Sequence, residues 1–404
     1  MNENQNTLDT KNIEKNTYLF IFFVFLNAFY APIFRNELTY CNVLGAEYFS
    51  AYNNFLTTSA IFLKVIILIY LLFNIKFIIN KLNKLLIFIV FFIFLFLQSL
   101  ITLYTSTQII SLLNSVLVFS FILLTIEKNY LSIFVKYLFF YLVGIVGIST
   151  LSLIIGENSF IITKCYTGGI ILGPGFENEL NLIKSGLTSH KNTLGLNIFI
   201  LNFLQIYFPQ YIKANNITKF FYLIISIFIL LYINSIASLF MTLLITIAFL
   251  LKQNKKYFIT ILSIFIISLY FNTEVILDFF NRDITLSGRA YIWTNILLQG
   301  FSYPIIGNGV GNAFILIDNT YIKMVIETGF VFTFSYYIWV LVQFYKNFST
   351  SKKVDESLIF LIIIFYSIIE ISGVLYSTNL LIVVMVIVYF NKFVDKKPLN
   401  NINK

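Results

Sequence analysis

The sequence predicts an all-α integral membrane protein with about 12 transmembrane helices, and three observations carry that prediction. The 404 residues are 59% hydrophobic and only 11% charged, with mean hydropathy +0.87, whereas soluble domains carry about 25% charge. The apolar residues fall in runs near the roughly 20 residues needed to cross about 30 Å of hydrocarbon. Strict polar–apolar alternation, the mark of an outer-membrane barrel, is missing. One polytopic domain, 1–404, is the simplest partition.

Taken in order, the predicted spans are 17–34, 55–73, 85–101, 109–126, 131–155, 192–212, 220–233, 238–251, 257–271, 324–345, 358–372 and 380–390. The pairs around Asn234 and around 373–379 read as tight hairpins. The first run resembles the core of a signal peptide but lacks a small-x-small cleavage site, so it is expected to stay as a span. An even number of spans puts both termini on one side. Eighteen of the 27 Lys and Arg residues fall on that side, seven on the other, and Lys64 and Lys136 within spans. The positive-inside bias makes the termini cytoplasmic. The net charge of +9 is thereby a topology signal, not a nucleic-acid footprint.

Two loops are long, roughly 156–191 (after span five) and 272–323 (after span nine), and this topology puts both on the outer face. Long loops in compact proteins are usually functional or disordered; these are not of low complexity. Chemistry on that face argues against ATP or a nucleotide-sugar as a direct substrate. No internal repeat of the transporter kind is evident. Cys41 and Cys165 are too few for a disulfide framework or a zinc site; they fall in outer loops, either paired or as two free thiols.

The polar residues concentrate in three stretches. The first, S-G-L-T-S-H-K-N-T-L-G-L (185–196), holds His190, the one histidine, beside Lys191 and Asn192 at the start of span six. One histidine with these neighbours cannot build a zinc site, and Asn192 or Thr193 can instead cap the helix. The second, S-G-R-A-Y-I-W (287–293), leads through an amphipathic segment, 290–299, into Y-P-I-I-G-N-G-V-G-N (303–312). There Gly307, Gly309 and Gly311 allow backbone N–H groups to approach an anion. Their spacing fails the dinucleotide pattern, since Asn312 stands in the last glycine's place. The third, D-N-T-Y-I-K-M-V-I-E-T-G-F (318–330), opens span ten. Asp318 is an evident N-cap, and Lys323 and Glu327 are four apart on one helix face, placed to pair. Arg35, Arg282 and Arg289 are the only arginines. All three fall on the outer face, and a guanidinium grips phosphate oxygens as lysine cannot. Pairing with Asp278 or Asp283, or contact with lipid headgroups, is the structural alternative. Glu370 and Lys136 lie within spans and need partners. Glu177 and Glu179 read as a solvated acidic pair.

These stretches, in this order, resemble the O-antigen polymerase and O-antigen ligase superfamily of bacterial surface-polysaccharide assembly. H-K-N-T-L-G is similar to the polysaccharide polymerase branch. The resemblance covers about a fifth of the chain and includes the span number and the two outer loops. It implies a metal-independent, inverting, multi-span glycosyltransferase without a cofactor, in the bacterial inner membrane. Such an enzyme takes glycan from undecaprenyl pyrophosphate on the outer, periplasmic face; a polymerase passes it to the non-reducing end of another lipid-linked repeat unit, a ligase to lipid A–core. It further implies a chain-length-regulating protein partner. Under it, Arg289 and Arg282, with Arg35 and Lys191 assisting, meet the charge that develops on the pyrophosphate. His190, Asp318 and Glu327 stay open as candidate bases for the acceptor hydroxyl. Asn192, Asn319, Tyr321 and the three glycines join the substrate-binding set. One departure matters: ligases of this kind carry histidine where Asp318 stands, which favours polymerase. The rival of another class is a lipid-linked-oligosaccharide flippase, which would place its polar residues within the spans and not in outer loops. A transferase using polyprenyl-monophosphate sugars, with Glu37 or Glu47 as the acid, is the remaining enzyme alternative.

Overall fold

The computed structural model describes residues 62, 65–102, 106–127, 130–155, 191–212, 215–251, 256–261, 263–264, 303–310, 320–350, 355–369 and 380–391. Among these residues the protein is helical and has no strand. Its helices are α1 (Ile75–Ile79), α2 (Leu82–Thr102), α3 (Ser106–Glu127), α4 (Leu131–Ile155), α5 (Lys191–Tyr207), α6 (Pro209–Ile212), α7 (Asn216–Tyr232), α8 (Ile236–Leu250), α9 (Thr320–Thr350), α10 (Asp355–Ile369) and α11 (Leu380–Asn391). Residues 65–73 and 256–261 are also helical. By length and composition, α4 and the Thr320–Ser349 stretch of α9 are long and apolar enough to cross a membrane; shorter apolar helices accompany them.

Local chemistry sets the boundaries. Pro209 restricts Phe208 and separates α5 from α6, so the expected run 192–212 is two helices. The Asn215 side chain accepts from Thr218 N at 2.7 Å and caps α7. At the other end of α7, Asn234 takes φ 53. The bonds Ser235 N to Leu230 O (3.1 Å) and Asn234 N to Leu231 O (3.1 Å) then close a Schellman turn directly into α8.

Two groups of helices share one core. In the first, α5 is the hub, touching α4, α7, α8 and α10, and it is buried nearly all round. A Cβ at Gly195 would lie closer to the Ser235 and Ser238 hydroxyls than real Cβ atoms approach; small residues let α5 and α8 meet backbone to backbone. Asn202, 1% exposed, donates to Ser226 Oγ on α7 at 2.7 Å. In the second group, α2, α9 and α11 meet through rings. Phe88 packs edge-on against Trp339 and Tyr389, and Phe91 against Phe332 and Tyr336. Helix α10 touches α9, α11, α8 and α5, and so joins the groups.

Large apolar side chains also face outward: Leu86, Val90, Ile93 and Leu97 on α2, and Phe221, Ile225 and Phe228 on α7. Faces of this extent are compatible with insertion in a membrane. Lys136 is exposed on α4, in its second turn. At the end of the bundle where α2 starts and α3 stops, Glu127 pairs with both Lys81 (3.3 Å) and Lys84.

The largest departure from the sequence reading is in α9. A single span was expected over 324–345. At Gly329 (φ 74, ψ 173) the backbone leaves helical geometry. The Tyr321 ring stacks on Tyr337 with centroids 4.2 Å apart, although a continuous helix would separate residues sixteen apart by about 24 Å. The chain therefore doubles back. A short limb, 320–328, lies beside the long limb, 330–350, with Gly329 at the tip. Hydropathy averaged along the chain reports how apolar a stretch is and not its direction, so it is blind to such a reversal.

Candidate functional site

A helix reversal leaves orphan carbonyls at the end of one limb and orphan N–H groups at the start of the next. In α9 the turn Tyr303–Val310 satisfies both. Asn308 N donates to Ile326 O (2.7 Å) and Gly309 N to Glu327 O (2.9 Å). In the opposite sense, Phe330 N donates to Pro304 O (3.0 Å) and Val331 N to Ile305 O (3.4 Å). Thr328 Oγ1 bonds Met324 O at 2.7 Å, and Thr333 Oγ1 bonds Gly329 O at 2.8 Å.

The two backbones touch, and this explains the glycines. Gly307 has φ 83 and Gly309 φ 100, the left-handed region that only glycine enters without strain. A Cβ on Gly307 would strike Glu327 and Gly329 backbone atoms; one on Gly329 would strike Ile305 and Gly307. The Gly307 amide donates to Tyr303 O at 2.6 Å and that of Gly309 to Glu327 O. These N–H groups are engaged within the protein, so the anion cradle expected from Gly307 and Gly309 is instead a backbone clasp. Gly311 lies outside the described residues.

The clasp holds Glu327. Its residue is 1% exposed, and Lys323 Nζ stands 3.8 Å from its carboxylate, the pairing expected from their spacing. A buried carboxylate with a cation one turn away is an arrangement that can bind a hydroxyl or take a proton.

Two further expected residues meet on α10. Tyr321 Oη donates to Ile364 O at 2.7 Å. Tyr366 Oη, two residues along, donates to Asn192 O at 3.4 Å. Asn192 Oδ1 accepts from Ser235 Oγ at 3.2 Å. Because α5 begins at Lys191, Asn192 sits inside the first turn and is not the N-cap. Asn192, Ser235 and Tyr366 thus form one hydrogen-bonded group, and the short limb of α9, with Tyr321, Lys323 and Glu327, joins the same helix at Ile364. His190, Arg35, Arg282, Arg289, Asp318, Asn319, Cys41, Cys165 and Glu370 lie outside the described residues, and Lys191 is described only as the first residue of α5.

Sequence reasoning missed Gln98, Ser235 and Tyr366. Gln98 carried a usable signal, a lone amide inside an apolar run. Ser235 and Tyr366 carried none, since single hydroxyls in apolar helices are common. No protein-family model, curated protein or solved structure matches the chain.

Proposed function

We propose that this chain is a polymerase of bacterial surface polysaccharide, of the O-antigen polymerase type. It would transfer glycan from undecaprenyl pyrophosphate to the non-reducing end of a second lipid-linked repeat unit. One observation supports the reading most: two of the separate stretches that carry the family resemblance meet in space. Asn192 of the H-K-N stretch and Tyr321 of the D-N-T-Y stretch, 129 positions apart in the sequence, each bond to α10, at Tyr366 and Ile364. The Y-P-I-I-G-N-G turn clasps the I-E-T-G-F end of the same stretch.

In this reading about 12 spans cross the bacterial inner membrane with both termini cytoplasmic. The end bearing Lys81, Lys84 and Lys346 faces the cytoplasm, and the Gly329 tip faces outward. The acceptor hydroxyl attacks the anomeric carbon of the donor glycan. The bond from that carbon to the pyrophosphate oxygen breaks, and its electron pair leaves with the pyrophosphate. Arg289 and Arg282, with Arg35 and Lys191, stabilise that developing charge. The hydroxyl proton passes to a base, for which Glu327, Asp318 and His190 are the candidates.

The test is a gel profile of surface polysaccharide from a strain lacking the gene. The expected result is one repeat unit on lipid A–core with the ladder gone. Long polymer stranded on the lipid carrier would assign a ligase instead. An unchanged ladder would remove both and leave a transporter such as the flippase.

A further inference from the structure

Gln98 is the unforeseen member of the reversal. It lies in the last two turns of α2, is 2% exposed, and reaches more than 200 positions along the chain. Its Nε2 donates to the Ile306 carbonyl on the turn and, at 2.6 Å, to the Glu327 carbonyl on the short limb. A side-chain amide carries two N–H donors, and here one goes to each side of the clasp. The Glu327 carbonyl is thus held from two directions, by Gln98 and by Gly309 N. Around this amide the helices meet through apolar side chains, as in the Phe91–Phe332 and Phe94–Phe332 contacts. Contacts of that kind permit sliding, whereas two directed hydrogen bonds fix register.

We propose that Gln98 is a positioning residue: its two hydrogen bonds pin the short limb of α9 to the 303–310 turn and so fix where Glu327 and Lys323 stand. The inference rests on the reading of Glu327 as part of a glycosyl-transfer site. The amide does not touch substrate. It acts through the backbone of the residue it holds, and misplacing a reacting group by about 1 Å costs about 100-fold in rate.

The chemistry of the side chain supplies the test. Gln98→Leu keeps the volume and deletes both donors. Gln98→Glu is near-isosteric; ionised, it is an acceptor facing two carbonyls, and protonated it regains one donor. The full chain is reconstituted in liposomes with a polyprenyl-pyrophosphate-linked repeat unit, and turnover and KM are measured across a pH series. Gln98→Leu is expected to lose about 100-fold in kcat with KM for the lipid-linked donor within about threefold of wild type. Burial beside two carbonyls raises the pKa of the introduced carboxyl, so the pH series runs from acid to alkaline. Relative to wild type at each pH, Gln98→Glu should fall as its carboxyl ionises on the alkaline side and recover toward wild type as the pH falls, while Gln98→Leu does not. Wild-type kcat in Gln98→Leu overturns the proposal, and so does a Gln98→Glu variant without acid recovery. Should Gln98→Leu fail to fold, the acid recovery of Gln98→Glu decides alone. Should the wild-type chain make no polymer, the functional reading fails by itself. Hydrogen exchange then decides the role of Gln98: Gln98→Leu, or Gln98→Glu above the pH at which its carboxyl ionises, should lose protection at Asn308, Gly309, Phe330 and Val331, and unchanged protection there overturns it.

Discussion

Two helix reversals among the described residues, at Asn234 and at Gly329, are made differently. The α7–α8 reversal at Asn234 is closed by its own neighbours, with bonds spanning three to five residues. The α9 reversal at Gly329 is closed from outside, by a turn about twenty residues earlier and by Gln98 on α2. A local reversal needs nothing but its own sequence. A reversal that borrows its partners couples three distant segments, and it carries a buried Glu327 paired with a half-buried Lys323 near its tip. The first joins two helices; the second builds a place.

Substitutions should separate the two reversals, beginning with the largest expected effect. Gly329→Val combines a left-handed backbone with a collision against Ile305 and Gly307. It should lower stability by about 4 kcal/mol, seen as a large fall in the thermal midpoint of the detergent-solubilised protein. A wild-type midpoint would mean that the clasp is not needed. Glu327→Gln keeps the shape and removes the charge; if Glu327 is the base, polymer formation should drop about 100-fold or more at little change in midpoint. Equal activity would move the base to Asp318 or His190. Gly195→Ala probes the hub beneath the local reversal, where the Ser235 and Ser238 side chains must give way; a loss of about 2 kcal/mol is expected, readable by thermal melting with the polymer unaffected in length. The smallest effect is at the local reversal itself. Asn234→Gly relieves a positive φ of 53 and should raise stability by about 0.5 kcal/mol. A loss there instead would show that the Asn234 side chain, not its backbone, holds the hairpin.

The sequence made most helices legible because apolar runs determine them. The expected 131–155 matches Leu131–Ile155, and 85–101, 109–126 and 380–390 each lie within a few residues of α2, α3 and α11. What it hid was the direction of the chain at Gly329. The reversal is dictated by a glycine's φ and by a turn distant in sequence. The same gap explains the site. The Lys323–Glu327 pair is local and readable from spacing. That Asn192 and Tyr321 both bond to α10 is tertiary and is not. Gly307 and Gly309 were read for their exposed amides, but in the fold those amides are answered by carbonyls.

The Gly329 clasp also has an order in time. Gln98 and the whole 303–310 turn precede Gly329 in the chain, so the outside partners that close the tip are synthesised before it. At about 5–20 residues per second, the stretch from Gly309 to Gly329 takes on the order of a few seconds. The growing polypeptide therefore presents its receptacle first and the segment to be received afterwards. The short limb can turn back as it emerges instead of threading on as one more straight crossing.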